Sequence, residues 1–418
     1  TAEAASVMQT ASPPLGGIRD IRSQLKKVNL GAVLDLPEIT EIMSTLYAMR
    51  NVKRFFRDME MDAPLLKDWA RELEILGQLE HNLDNAVDEH GSLRDEASVE
   101  LARIRREIKS SQARVKSSLA GILHAPEYQK AFQDAIVTMR GDRYVIPVKQ
   151  EYRHAFPGIV HDQSATGATL FIEPMAVVEL NNDIKQLTLS EHQEVERILR
   201  SLSEQIGRSS TILQANSHIL AQIDFTFAKA RLARRMQAIE PLLNDEGRTD
   251  LKKARHPLIP ADKVVPIDIR LGGTYRMLLV TGPNTGGKTV SMKTLGLLVL
   301  MAQSGCFIPA AFVSERAIYH NVFGDFGEGK SIGKSLSTFS AHMTHMVSIL
   351  RQAEAEDLLL LDELGAGTDP EEGASLAMAI LEQLLKIKAS VVATTHYSEL
   401  KTFAYTQEGI ENACVEFD

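Results

Sequence analysis

A chain of 418 residues is too long for one hydrophobic core, so about two to four domains are expected. Its 44% hydrophobic and 24% charged content is ordinary for a soluble globular protein, and no apolar run reaches the length of a membrane span; among the longest is Leu297 to Ala302. The formal net charge of −9 gives no global sign of a nucleic-acid partner and leaves open only a local basic face. Thr1-Ala2-Glu3-Ala4 lacks an initiator Met, a basic n-region and an apolar h-region, so it is not read as a signal peptide. The chain is expected to start inside a longer gene product. Two cysteines, Cys306 and Cys414, far apart and without metal-type spacing, point to a reducing, cytoplasmic setting.

Residues 1 to 60 read as short helices: Ile18 to Val28, Leu36 to Met49, and a third around Val52-Phe55-Phe56, with Pro13-Pro14 and Gly16-Gly17 as breakers. Pro64 has the look of a first-turn proline, opening a helix predicted to run to about Val87 with Leu65, Trp69, Leu73, Leu76, Leu79 and Leu83 on one face. After His90-Gly91 a second amphipathic helix is predicted from Asp95 to Leu123. Leu101, Ile104, Ile108, Val115, Leu119 and Ile122 keep three-four spacing, interrupted by Ser111. Its basic residues Arg103, Arg105, Arg106, Lys109, Arg114 and Lys116 suit either a nucleic-acid contact or a solvated helix face.

The pattern then changes. Ile136 to Met139, Arg143 to Val148, Gly158 to His161 and Thr169 to Ile172 are short strand candidates separated by Gly, Pro, Ser and Asp, so a small β module is predicted between long helices. Arg140, Arg143, Lys149 and Arg153 accompany Tyr144, Tyr152 and Phe156 there, a mixture that fits a nucleic-acid clamp or a hairpin with ordinary surface charge. From Met175 to Ile239 there is no proline, and a heptad-like rhythm from Leu180 to Phe227 predicts long helix with a break or bend at Gly207-Arg208-Ser209-Ser210. The two long helical stretches flank the β module and are expected to pack as an arm. Pro241 closes that stretch, and Arg255 to Leu258 and Val264 to Ile269 read as short β segments.

Met277-Leu278-Leu279-Val280 is an apolar run of buried-strand type. It is followed by Thr281-Gly282-Pro283-Asn284-Thr285-Gly286-Gly287-Lys288-Thr289 and an apolar helix from Val290 to Ser304. Strand, Gly-rich loop and helix in that order make a phosphate-binding P-loop. The glycines let backbone N–H groups curl around an anion, and the helix start adds its partial positive charge. Lys288 then reaches the outer phosphates, and the Thr289 hydroxyl is suited to Mg2+. Gly324 to Ser331 also satisfies G-x-x-x-x-G-K-S, but Asp325 and Glu328 would set carboxylates inside the phosphate nest, so it is read as coincidental.

Ser335 to His342 opens a helix to about Ala353, and a Ser/Thr-rich helix start is suited to an anion or to simple N-capping. Leu358-Leu359-Leu360-Leu361-Asp362-Glu363 has the form of a Walker B strand. Asp362 is expected to hold Mg2+ with Thr289, and Glu363 to polarise the attacking water. Ser390 to Thr395 is another buried strand ending in His396, and in an open α/β sheet that end faces the nucleotide.

These residues together resemble the MutS family of ATPases. Gly-Pro-Asn-Thr-Gly-Gly-Lys-Thr at 282–289, Ser-Thr-Phe at 337–339, Asp-Glu-Leu-Gly-Ala-Gly-Thr-Asp-Pro at 362–370 and Ala-Thr-Thr-His at 393–396 are similar to its four ATPase motifs. Arg143 to Lys149, Gly158 to Asp162 and Gly167 to Pro174 are similar to the bacterial MutS-two branch, and the resemblance covers essentially the whole chain. It implies an α/β P-loop ABC-type ATPase domain preceded by an all-α core and lever region with a small β clamp, working as a homodimer on ATP and Mg2+. The implied division is a helical core at 1–94, lever helices at 95–240 with the clamp inserted at about 136–173, and the ATPase domain at 241–418, C-terminally incomplete. In that arrangement Ser337 and Thr338 complete the partner's site, His396 senses the γ-phosphate, and Val264 lies near the adenine. Glu328 and Lys330 stand where the family has Asp and Gln, which leaves the polar role of that Gln without a counterpart.

The resemblance implies binding of branched DNA with restraint of recombination, or engagement and splitting of collided ribosomes, with no membrane partner. Nothing resembles the mismatch-reading domain with its Phe-x-Glu wedge, and the stretch to Asp418 stops before the Smr nuclease module that the resemblance implies, so these residues are not expected to cut nucleic acid. Two other readings compete: a dimerising arm in which nucleotide only sets shape, and a chromosome-organising ABC ATPase. The latter would carry its coiled-coil arm inside the ATPase domain, whereas here the arm precedes the P-loop.

Overall fold

The computed structural model describes residues 1–132, 134–282, 287–326 and 338–415, with the backbone alone at 338, 339 and 341. The described residues form a mixed α/β protein. Six helices come first: α1 (Ala2–Thr10), α2 (Arg22–Asn29), α3 (Leu36–Asp58), α4 (Pro64–Glu72), α5 (Gly77–Ala86) and α6 (Val99–His124). Four strands follow, β1 (Thr138–Arg140), β2 (Arg143–Lys149), β3 (Gly158–Gln163) and β4 (Thr169–Pro174), then α7 (Met175–Arg208) and α8 (Ser210–Met236). The remainder alternates: β5 (Leu242–Asn244), β6 (Thr249–Ala254), β7 (Ile267–Leu271), β8 (Met277–Thr281), α9 (Lys288–Gln303), β9 (Glu315–Ala317), β10 (Val322–Asp325), α10 (Thr338–Gln352), β11 (Leu358–Leu361), α11 (Pro370–Ile387), β12 (Ser390–Thr395), α12 (Ser398–Thr406) and β13 (Ile410–Cys414). The chain divides into two compact units, one of Thr1–Ser12, Met61–Leu66 and Ile223–Asp418, the other of Pro13–Glu60 and Lys67–Gln222.

In the second unit α6 packs along α7, and the four strands form an antiparallel sheet in the order β1-β2-β4-β3. One core joins them: Val115 and Leu119 of α6, Ile146 and Val148 of β2, Leu170 and Ile172 of β4, and Val177 and Ile184 of α7. Gly158 is required where β3 meets β4, because a Cβ there would stand 2.5 Å from the Glu173 carbonyl oxygen. The predicted break in the long helix is present: Ser209 leaves α7 at φ −99° and α8 starts at the next residue. The N-termini carry their own signals. Asp35 and Glu38 form a reciprocal capping box on α3, and the Ser98 hydroxyl accepts the Leu101 N–H of α6 at 2.9 Å.

Two helix predictions need correction. The third segment around Val52-Phe55-Phe56 is not separate but the end of α3, which buries Val52 and Phe56 on the same stripe as Ile42 and Met49. The helix predicted from Pro64 to about Val87 is two helices, with residues 73–76 non-helical between them. Distant partners satisfy the backbone there. The buried Asn216 side chain accepts the Glu74 N–H at 3.0 Å and donates to the Glu74 carbonyl at 2.7 Å, while Lys53 donates to the Leu73 carbonyl at 2.5 Å.

In the first unit a five-stranded, all-parallel sheet has the order β10-β11-β12-β8-β13. Both faces are covered. Met277, Leu279, Leu359, Leu361, Val391 and Ala393 point into the core made with α10, α11 and α12, and Leu278, Val280, Leu358, Leu360 and Val392 into the core containing α9. That double burial is why the strands are unbroken apolar runs rather than alternating ones. A second sheet, β5-β9-β6-β7, contributes Leu251, Ala254, Ile269 and Leu271 to the α9 core. The segments predicted as strands at 255–258 and 264–269 fall instead in turns and in β7, with β6 ahead of them. After β12 the chain forms α12 and returns as β13, which pairs with β8 at the edge of the sheet. Among the described residues, no helix is long and apolar enough to cross a membrane.

Candidate functional site

The parallel sheet directs the C-terminal ends of β8, β11 and β12 to one edge, and α9 begins where β8 ends. Gly287 occupies the left-handed region (φ +79°) as the N-cap of α9, a conformation that glycine adopts without strain. Lys288 follows and is buried. Its ammonium donates to the Gly282 carbonyl, lies 3.4 Å from the Thr395 carbonyl, and lies 3.4 Å from His396 Nδ1. Burial holds its pKa below the ordinary lysine value, against the opposing pull of Asp362 and Glu363. A buried cation at a helix start, resting on carbonyl oxygens, is a site chemically suited to an anion.

Asp362 and Glu363 follow β11 directly. Asp362 is buried, and its backbone N–H donates to the Asp325 carbonyl at 2.8 Å. Glu363 stands at φ +51°, an uncommon conformation for a residue with a Cβ and one that re-aims its side chain away from the strand direction. Thr394, wholly buried on β12, joins the Asp362 carboxylate to the Glu363 backbone: its hydroxyl donates to Asp362 Oδ1 and accepts the Glu363 N–H at 2.8 Å. His396 Nε2 lies 3.5 Å from Glu363 Oε1. His396 thus stands between Lys288 and Glu363, with Nδ1 toward the ammonium and Nε2 toward the carboxylate.

The structure thus gathers Gly282, Gly287, Lys288, Asp362, Glu363 and His396, with Thr289 as the second residue of α9. Pro283, Asn284, Thr285, Gly286 and Ser337 lie outside the described residues. Thr338 is the first residue of α10, described by its backbone alone. Val264 sits in the turns between β6 and β7, where its N–H donates to the Pro260 carbonyl at 3.0 Å, and it takes no part in the contacts above. Burial, and after it the charge of Lys293 on α9, holds the pKa of His256 below the ordinary value. Thr394 was not singled out from the sequence. A threonine pair closing an otherwise apolar strand was the available signal. Tyr397 is the other omission; its hydroxyl donates to the Gly365 carbonyl at 2.9 Å and braces the loop after Glu363.

The rejected second P-loop match is partly visible. Gly324 and Asp325 belong to β10, and the Asp325 carboxylate is buried against α10 rather than set in a phosphate loop; residues 327–331 lie outside the described residues. The proposed nucleic-acid features change more. Arg103 is paired with Glu100 and Glu107, Arg105 with Asp95 and Glu191, and Lys109 with Asp95, so half of the basic run on α6 is neutralised by its own chain. In the β module Tyr144 and Phe156 are buried in the core and offer no face for a base. Arg140 lies 3.8 Å over the Phe171 ring and pairs with Asp162 at 3.0 Å. Arg143 and His161 both bond the buried Glu173, at 2.8 and 2.5 Å.

Comparison with known proteins gives two results. The family described as MutS domain V matches residues 278–418. Proteins named "Endonuclease MutS2" are similar along the chain: that of Halalkalibacterium halodurans is 52% identical over 409 residues, covering 97% of this chain and 52% of the relative. That of Brevibacillus brevis is 51% identical over 421 residues, covering 100% and 54%. A "Putative endonuclease MutS2" of Bacillus subtilis is 50% identical over 408 residues, covering 97% and 52%. The chain spans about half the length of these relatives.

Proposed function

Because the chain belongs to the MutS family, with MutS2 proteins among its relatives, we propose that it is an ATP-hydrolysing element coupling nucleotide state to the binding of structured nucleic acid. The observation that carries the proposal is the convergence of Lys288, Asp362, Glu363 and His396 at the start of α9. Gly282 and Gly287 open and close the phosphate loop, with Pro283, Asn284, Thr285 and Gly286 between them. Lys288 holds the outer phosphates. Thr289 and Asp362 supply a hydroxyl and a carboxylate, the hard oxygen donors that Mg2+ prefers. Magnesium bound there would neutralise phosphate charge. Glu363 orients the attacking water and takes its proton, while the Thr394 bond to its N–H fixes the carboxylate's origin. His396 links the phosphate-binding lysine to that base and so reports the γ-phosphate.

On this reading the ATPase domain is of the ABC type and occupies 241–418, after a helical core at 1–94 and a lever region at 95–240 whose β module, at about 136–173, is the clamp. Two copies form the working unit, with Ser337 and Thr338 serving the partner's nucleotide and Val264 or its neighbours on the adenine side. The partner is branched DNA, in keeping with suppression of recombination, or a collided ribosome, in a cytoplasmic setting. The burial of the module's aromatics disfavours base stacking, and the pairing of Arg103, Arg105 and Lys109 leaves phosphate contacts on α6 to the remaining cations of that run.

A Glu363→Gln variant tests the reading. It is expected to bind ATP as the parent does while turnover falls by roughly 100- to 10,000-fold. Equal and negligible turnover in both proteins would instead support the second reading, a nucleotide-gated dimerising arm. ATPase stimulation by branched DNA against stalled ribosomes, at two salt concentrations, separates the partners, since phosphate-driven binding weakens steeply with salt.

A further inference from the structure

Asp325 closes β10 beside Asp362, and its carboxylate is buried without being part of the Lys288–Glu363 group. It faces α10 instead. Asp325 Oδ2 lies 3.2 Å from His342 Nδ1, and Oδ1 lies 3.6 Å from His345 Nδ1. The other end of the same residue is tied to the site, since its carbonyl accepts the Asp362 N–H at 2.8 Å. One residue therefore joins the Walker B strand end to α10. The following residue reaches the P-loop helix: the Phe326 ring lies 5.3 Å from the Lys293 ammonium of α9.

α10 starts at Thr338, four residues before His342 and seven before His345, so the three positions share one stripe of the helix. Its other anchors are apolar, Met346 and Ile349 in the core, and apolar contacts fix depth better than rotation or axial slide. A hydrogen bond to a buried carboxylate is directional, and in a low-dielectric setting it is strengthened. We propose that Asp325 and His342 are a positioning pair, which sets the rotation and axial register of α10 so that its N-terminal turn presents its N–H groups to a nucleotide phosphate. Neither residue touches substrate. The His345 contact is longer than a hydrogen bond and is a secondary restraint.

This inference rests on the ATPase reading, and its test has one arm that does not. In the full chain, His342→Ala is expected to lower kcat by roughly 10- to 100-fold, the loss of one charge-assisted hydrogen bond, while the affinity for ATP stays within about threefold. His342→Asn, whose amide donates from near the position of Nδ1, is expected to recover most of the rate. In the nucleotide-free chain, amide exchange over the first two turns of α10 should quicken by at least about tenfold in His342→Ala and in Asp325→Ala, and not in His342→Asn. A His342→Asn protein as slow as His342→Ala would show that ring bulk, not the hydrogen bond, matters, and would overturn the proposal. Unchanged exchange in His342→Ala would overturn it as well. A parent chain that binds ATP without hydrolysing it refutes the ATPase reading, and the exchange arm then decides this one alone.

Discussion

Gly373→Ala places two opposing effects at one atom. Gly373 lies in the first turn of α11, where alanine gains about 0.8–1.0 kcal/mol of helix propensity over glycine. Its added Cβ would stand 2.4 Å from the Gly365 carbonyl oxygen and 2.7 Å from Tyr397 Oη, both inside the 3.0 Å that real Cβ atoms keep. Retreating to 3.0 Å requires about 0.6 Å at the first contact, and the obstructing atom is backbone in a glycine at φ +87°, which cannot rotate aside. Overpacking of that kind costs about 1–3 kcal/mol, and a rigid partner places this case in the upper half of the range. The clash wins by about 1–2 kcal/mol, a change of roughly 5- to 30-fold in local opening. Hydrogen exchange over the start of α11 reads this directly, and kcat for ATP should fall because the displaced Gly365 is two residues from Glu363. In a Tyr397→Phe background one of the two close atoms is gone, so the penalty should shrink without vanishing. Slower exchange in Gly373→Ala than in the parent would mean that propensity had won, and would refute the argument from close approach.

Thr394→Val keeps the shape of the side chain but strands the Glu363 N–H and one oxygen of Asp362. A loss of about 1–3 kcal/mol in stability is expected from differential scanning calorimetry, with kcat reduced and ATP binding retained. Glu194→Gln tests a charge linkage. The hydrogen bonds from Arg197, with a smaller contribution from Ser98, hold the Glu194 carboxyl down to about 2. A depressed carboxylate stabilises the fold above its unfolded pKa of 4.5 and loses that contribution as pH falls through about 2. Since Arg197 is mostly in water, a deficit of only about 1 kcal/mol is expected for the variant at pH 7. Unfolding curves for parent and variant should approach each other as pH falls from about 4.5 and converge only below about pH 2; a deficit that persisted there would exclude the ion pair as its origin.

Much of the architecture was legible along the chain because the signals were local. The four strands of the β module begin and end within two residues of their predicted limits, where Gly, Pro and Asp punctuate apolar runs. Leu358–Leu361 and Ser390–Thr395 announced strands buried on both faces by having no alternation at all. What escaped had its cause elsewhere. Nothing near Glu74 shows that an asparagine 142 residues away will interrupt the helix. Ile410–Cys414 is an edge strand with a largely exposed pattern, so its apolar signal is weak. The sequence leaves Arg105 open to a nucleic acid or to solvent, because the Glu191 that pairs with it lies 86 residues further along the chain.

By itself the sequence determined which residues could bind a phosphate: a glycine-rich loop with Lys288 after one buried strand, an Asp-Glu pair after a second, a histidine after a third. Residue chemistry and strand-ending position are local properties, and they survive translation into one dimension. Only the tertiary structure decided that these strand ends share one edge, in the order that puts β12 between β8 and β11. Only that order lets Thr394 join Asp362 to Glu363 and His396 join Glu363 to Lys288. Strand order is set by which apolar faces are covered by which helices, a sum over the whole unit, and no single stretch of the chain contains it.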